Sequence, residues 1–171
     1  MRENNSDEFI SWLVFNASYS ESKDYIVGID INRVNSEGKN ALFYADYDKS
    51  KLLIECGIDV NKVDIDGNNA LYRANYDKAL LLIKNGINVN QINRDGENAL
   101  FVSDYRTSVL LIEYGVNINQ VDVYGRNSLF SCDHKKGMFL IEKGIDTKQK
   151  NILFGEMALD VFYYKSKFEF F

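Results

Sequence analysis

Glycine recurs through this chain at a fixed interval, and that interval constrains the fold more than any other feature. Gly38, Gly67, Gly96 and Gly125 are each 29 residues from the next, and a second series, Gly28, Gly57, Gly86, Gly115 and Gly144, keeps the same spacing. Between the two series each unit reads Asn, Ala or Ser, Leu, aromatic, then a short polar junction, then Leu-Leu-Ile or a close variant, then glycine and an Ile/Val-Asp/Asn alternation. Repeats of 20 to 50 residues are the mark of a solenoid, in which each unit completes its core against its neighbours. The order predicts helix, tight turn, helix and an extended finger, with the fingers tipped by the first glycine series and the second helices ended by the other. Glycine suits both places because it enters the left-handed region without steric cost.

The stretches Asp64-x-x-Gly67-x-Asn69-Ala70-Leu71-Tyr72 and Leu81-Leu82-Ile83-x-x-Gly86-Ile87-Asn88-Val89-Asn90 resemble the ankyrin repeat, D-x-x-G-x-T-P-L-H closed by L-L-x-x-G-A-D-V-N. The resemblance implies an all-α ankyrin-repeat solenoid of helix-turn-helix units with short finger loops, capped at both ends. Each unit is about four residues shorter than the family norm of 33, and the shortfall falls at the junction between the helices, Asn75 to Lys78 and its equivalents. Asn40, Asn69, Asn98 and Asn127 replace threonine and can cap the first helix as it does. Ala41, Ala70 and Ala99 replace proline at the first helical position, where proline is permitted and not required. Phe43, Tyr72, Phe101 and Phe130 replace histidine, which predicts a more apolar seam between units.

On this register residues 1–34 form an amino-terminal cap, 35–63, 64–92, 93–121 and 122–150 are internal units, and 151–171 is a carboxy-terminal cap helix with an aromatic tail. The apolar run Phe9 to Phe15 follows acidic residues, unlike a secretory signal, and is expected to be a first helix. Its partner carries Lys23 and Asp24 where internal units have paired leucines, as a solvent-facing terminal repeat requires. Leu52-Leu53-Ile54, Leu81-Leu82-Ile83, Leu110-Leu111-Ile112 and Phe139-Leu140-Ile141 are the expected core of the second helices. The last segment keeps Gly155 to Leu159 one residue late, a first helix without a second. The aromatic residues of Val161 to Phe171 either cover the end of the stack or offer a contact patch.

A net charge of -5 argues against general binding to phosphate backbones or anionic membranes, and no apolar stretch approaches the length of a membrane span. The two cysteines, Cys56 and Cys132, stand several repeat steps apart, too far to bridge, and free thiols suit a reducing cytoplasm. No position breaks the repeat as chemistry would require. His134 holds the register of Tyr47, Tyr76 and Tyr105. Asp46, Asp104 and Asp133 recur with Asn75 at the helix junction as caps. Phosphate loops, nucleophile-histidine pairs and dinucleotide fingerprints are all missing from the sequence. The chain is therefore expected to be non-catalytic, to need no cofactor or metal, and to bind protein as a monomer.

In ankyrin proteins the partner is usually held by the finger tips and the inner helix face, and the resemblance implies the same here. The tip pairs are Ser36-Glu37, Ile65-Asp66, Arg94-Asp95 and Val123-Tyr124, of which Ile65, Val123 and Tyr124 place apolar groups where polar ones are usual. Lys39, Asn68, Glu97 and Arg126, then Tyr44, Arg73, Val102 and Ser131, are expected on the concave side. The expected partner-binding residues are Ile65, Asp66, Arg73, Arg94, Asp95, Val123, Tyr124 and Arg126. The short units, the Asn-Ala-Leu-Phe signature and an apparently A+T-rich coding sequence look like the carboxy-terminal ankyrin domains of type III secreted effectors of the Shigella OspC family, arginine ADP-riboxanases. That resemblance implies recruitment of an inflammatory caspase, caspase-4 or caspase-11, in the host cytosol, with catalysis in a separate upstream domain. The alternatives from other classes are an accessory part completing a neighbouring enzyme's site, with Arg73 or Arg126 as its polar group, and a self-associating structural unit.

Overall fold

The computed structural model describes residues 30–166. The helix expected at Phe9 to Phe15, the pair Lys23 and Asp24, and Phe168, Phe170 and Phe171 lie outside the described residues. The chain divides into two compact units, Met1–Asn88 and Val89–Phe171. In the first, a 3-10 turn at Ala41–Phe43 precedes helix α1, Tyr47–Glu55, and a second at Ala70–Arg73 precedes α2, Tyr76–Lys84. In the second, turns at Ala99–Phe101 and Ser128–Phe130 precede α3, Tyr105–Glu113, and α4, His134–Glu142, and the chain closes with α5, Ala158–Ser166. Among the described residues the only extended pairing is an isolated bridge between Lys150 and Met157.

The first helix of each unit is thus shorter than the sequence predicts. An α-helical turn takes 3.6 residues, so a unit short by about four has lost one turn, and what remains is a single 3-10 turn. The cap survives. Asn40, Asn69, Asn98 and Asn127 each accept from the amide of the leucine two residues on. Each also donates its amide group to a carbonyl 19 residues away, at Asp59, Asn88, Asn117 and Asp146. This second bond is what asparagine offers and threonine cannot. All four side chains are fully buried.

Asp46, Asn75, Asp104 and Asp133 cap α1 to α4 by accepting from the amide three residues ahead, as expected. The amide of Thr107 accordingly holds the Asp104 carboxyl below its ordinary range. At the other end Gly57 takes φ +85°, its N–H bonds the Ile54 carbonyl and the Ile58 N–H reaches back to Leu53. That pattern satisfies the carbonyls a helix leaves open. It returns at Gly86, Gly115 and Gly144.

Leu53, Leu82, Leu111 and Leu140 are fully buried, as are Leu42, Leu71, Leu100 and Leu129 of the turns. Phe43, Tyr72 and Phe101 are only half-buried and Phe130 is buried, so the apolar seam expected from this position is partial. A further series was not read from the sequence. Lys78 buries its stem and donates from Nζ to the Leu42 and Ala45 carbonyls, 2.7 Å each. Lys136 does the same for Leu100 and Ser103, and Lys165 of α5 reaches the Phe130 carbonyl at 2.8 Å. These ammonium groups close the carbonyl ends of the 3-10 turns one unit earlier. Thr107 holds the same register and is buried.

Replacing Asn98 with alanine is expected to lower the unfolding free energy by about 2 kcal/mol or more, since it removes a cap worth about 1 kcal/mol and orphans the Asn117 carbonyl. Threonine there should restore the cap and not the tie, giving an intermediate midpoint in urea. Equal midpoints for the threonine variant and the parent would show that the tie contributes nothing.

Candidate functional site

The fingers are built by their first residue. Asn35 Oδ1 accepts from the amides of Glu37 and Lys39, both 3.0 Å, and Asp64 Oδ1 accepts from Asp66 and Asn68. Asn93 does this for Asp95 and Glu97, and Asp122 for Tyr124 and Arg126. Each side chain so folds its own hairpin tip, and the glycine behind it has positive φ.

Within each unit successive fingers are joined by main chain. The Ile65 N–H donates to the Glu37 carbonyl at 2.9 Å, the Val123 N–H to Asp95 at 2.8 Å and the Ile152 N–H to Tyr124 at 2.8 Å. The side chains of Ile65 and Val123 are left outward, with Val123 52% and Tyr124 46% exposed.

In the first unit Ile65, Asp66 and Arg73 are all exposed. Beside them the Lys39 ammonium lies 2.9 Å from Glu37, whose carboxylate also accepts from the Tyr44 hydroxyl. The Lys39 hydrogen bond and charge hold the Glu37 carboxyl below its usual range, with a smaller contribution from Arg73.

In the second unit Arg94 and Asp95 are exposed, and Asp95 is joined to Val123 through its carbonyl. Arg126 also has partners within its own finger. Its guanidinium bonds the buried Asp122 carboxylate through Nε at 2.7 Å and through a terminal nitrogen at 2.6 Å, and stands 4.9 Å from the centre of the Tyr124 ring. The guanidinium thus braces Tyr124 within the finger while its side chain stays 43% exposed.

The tip that sequence reading passed over is the last. Ile152 is 72%, Leu153 66% and Phe154 77% exposed, next to Val123 and Tyr124 in the ladder of fingers. The signal was present, because Asn151 stands 29 residues after Asp122. It was hidden by the extra residue that moves Gly155 out of step.

The chemistry-bearing residues have structural tasks. His134 opens α4 and stacks on Phe162, with ring centres 5.6 Å apart. Burial pushes the Cys132 thiol up to about 11, which keeps it protonated at neutral pH. Both cysteines are free. Among the described residues there is no group of three or more His, Cys, Asp or Glu side chains placed to hold a metal ion, and no helix is long and apolar enough to cross a membrane.

The family model for ankyrin repeats, in three copies, matches residues 2–93, more than half of the chain. The chain belongs to the ankyrin-repeat family. Ankyrin-repeat domains are in general protein-protein interaction modules and typically non-catalytic. No curated protein matches the chain. The ankyrin match spans the units whose turns, caps and fingers are described above for residues 35–93. The same caps and fingers continue through residue 155 of this ankyrin-repeat chain.

Proposed function

We propose that the chain is the target-recruiting part of a bacterial effector, a non-catalytic module whose protein partner is an inflammatory caspase. Each compact unit offers its own recruiting surface, on the repeats 35–63 and 64–92 and on the repeats 93–121 and 122–150. The observation that supports this reading best is the finger of residues 122–126. A large aromatic side chain, Tyr124, is held outward by its own backbone turn and by the Arg126 guanidinium, which Asp122 fixes in turn. Tyrosine and arginine dominate the energetics of protein interfaces, and an anchor already locked in place loses little entropy on docking. Exposed Arg94, Asp95 and Val123 complete the second unit's contribution, and Ile65, Asp66 and Arg73 form that of the first. The resemblance of the short units and the Asn-Ala-Leu-Phe signature to the OspC effectors directs the choice of partner.

Purified caspase-4 and caspase-11 are the partners to test, by calorimetry against the intact chain. Tyr124→Ala should weaken binding by about 30-fold, the effect of losing about 2 kcal/mol at a hot spot. Arg94→Ala, at the rim, should weaken it less. Both variants should keep the parent's circular dichroism and melting temperature, because each change is at an exposed site. A folded Tyr124→Ala variant that binds as tightly as the parent would remove the finger from the interface. Failure of both caspases to bind the parent would remove the caspase reading.

A further inference from the structure

We propose that the last finger, residues 151–155, is the open end of the finger ladder and takes up an extended main-chain segment of a partner protein, one that donates an N–H flanked by a β-branched aliphatic side chain. The proposal rests on reading the chain as a protein-binding module, and adds a place and a backbone chemistry that the caspase reading does not supply.

Three rungs of the ladder define what such a finger accepts. In each the acceptor is the carbonyl of the residue before the finger glycine, Glu37, Asp95 or Tyr124, and the donor is the N–H of a β-branched aliphatic residue, Ile65, Val123 or Ile152. The incoming segment also covers the glycine. A β-carbon on Gly38 would lie 3.4 Å from Ile65 Cγ2, one on Gly96 would lie 3.1 Å from the Val121 carbonyl oxygen, and one on Gly125 would lie 3.0 Å from Ile152 Cγ1. Every one of these finger glycines is therefore roofed by the next finger.

The last finger, one residue longer, keeps the asparagine and the glycine and, among the described residues, has no roof. Asn151 folds it by accepting from the Phe154 amide, and its own amide group is held by Glu156. The Gly155 N–H bonds the Asn151 carbonyl at 3.1 Å, and Gly155 has the positive φ of the series. Yet among the described residues nothing lies within 4 Å of where a β-carbon on Gly155 would be, and the carbonyls of Leu153 and Phe154 accept no hydrogen bond. The finger's one rung runs the other way, from the Ile152 N–H to Tyr124.

An unpaired main-chain edge is a template for another chain, and recognition by added main chain takes its affinity from the backbone bonds and its selectivity from side-chain pockets. Here the edge lies between Ile152 and Phe154, the two most exposed of the large apolar side chains among the described residues. A branched aliphatic group seated on Gly155 would cover part of both. The occupant is thus specified by the ladder itself, as a segment with the chemistry of Ile65, Val123 or Ile152 in its own rung.

The probe is a cyclised peptide carrying residues 121–127, Val-Asp-Val-Tyr-Gly-Arg-Asn, because its second valine, Val123, fills such a rung natively. Titrated into the isotope-labelled full chain, it should shift the amide signals of residues 152–155 saturably, leaving those of 64–68 and 93–97 in place. A peptide N-methylated at that valine should bind at least tenfold more weakly, since it lacks the donor. Equal binding of the methylated peptide would overturn the ladder chemistry. Shifts elsewhere, or none at millimolar peptide, would overturn the site. Neither outcome bears on Tyr124→Ala and caspase binding, so the two readings fail separately.

Discussion

Replacing Gly137 with alanine is expected to lower the unfolding free energy by about 2 to 4 kcal/mol, although alanine is the better helix former by about 1 kcal/mol. Gly137 lies inside α4, in the register of Ser50, Ala79 and Ser108, all fully buried. There a β-carbon would collide with the ring of Phe162, which α5 packs onto α4 with 1% of its surface exposed. The ring cannot give way without losing its burial, and loss of a buried phenylalanine costs about 3 to 5 kcal/mol. The collision therefore outweighs the propensity. The test is a double-mutant cycle. In a Phe162→Ala background the same Gly137→Ala change has no ring to meet and should become stabilising by about 1 kcal/mol. Destabilisation of equal size in both backgrounds would show that the ring is not the cause.

Changing Lys136 to methionine is expected to cost about 2 to 4 kcal/mol near neutral pH, and more at alkaline pH. Methionine keeps the buried stem but leaves the Leu100 and Ser103 carbonyls without their donor, at about 1 to 3 kcal/mol each. Removal of a buried charge offsets part of this. Burial lowers the Lys136 and Lys78 ammonium groups to about 8, against an ordinary value near 10.5. Below about 8 each lysine is protonated in both states and adds no pH dependence. Between that value and 10.5 the unfolded chain holds the proton and the folded chain has released it, so the unfolding free energy rises with pH. A neutral amine still has two hydrogens for the two carbonyls. The parent should thus gain on Lys136→Met between pH 8 and 10, measured by urea unfolding at each pH. A gap that narrows over that range would contradict a buried ammonium at this position.

The repeat, the caps and the terminating glycines were legible because each depends on one residue type at one spacing: an asparagine to close a turn, a glycine to enter the left-handed region. The shortening of the first helix was visible as a deficit of residues, but its consequence depended on how many hydrogen bonds fit between Asn40 and Asp46. The lysines were missed for a physical reason. A lone lysine on a polar helix reads as solvated surface, and only Lys78, Lys136 and Lys165 set in register show that one position keeps returning to the carbonyls of an earlier turn. Gly137 was passed over because its reason lies in Phe162, 25 residues away. Of the expected binding residues, Ile65, Arg94, Val123 and Tyr124 stand outward as read. The partnership of Arg126 with Asp122 was open to reading as an i, i+4 pair in a loop, a spacing usually sought only in helices.

The ties between successive turns, caps and fingers have a kinetic meaning. Asparagine side chains span 19, 25 or 27 residues, and the longest side-chain bond among the described residues, from Lys78 or Lys136, spans 36. Loop-closure entropy grows only slowly with length, and among the described residues the long-range side-chain bonds each close a loop of about one repeat. Folding can start at any well-formed turn and advance by neighbours, on the fast side of the range for chains of this size. The same locality limits mechanical strength. Drawn out, each unit of 29 residues that lets go adds about 100 Å of contour at about 3.5 Å per residue. The protein would pay out under load in increments of one repeat.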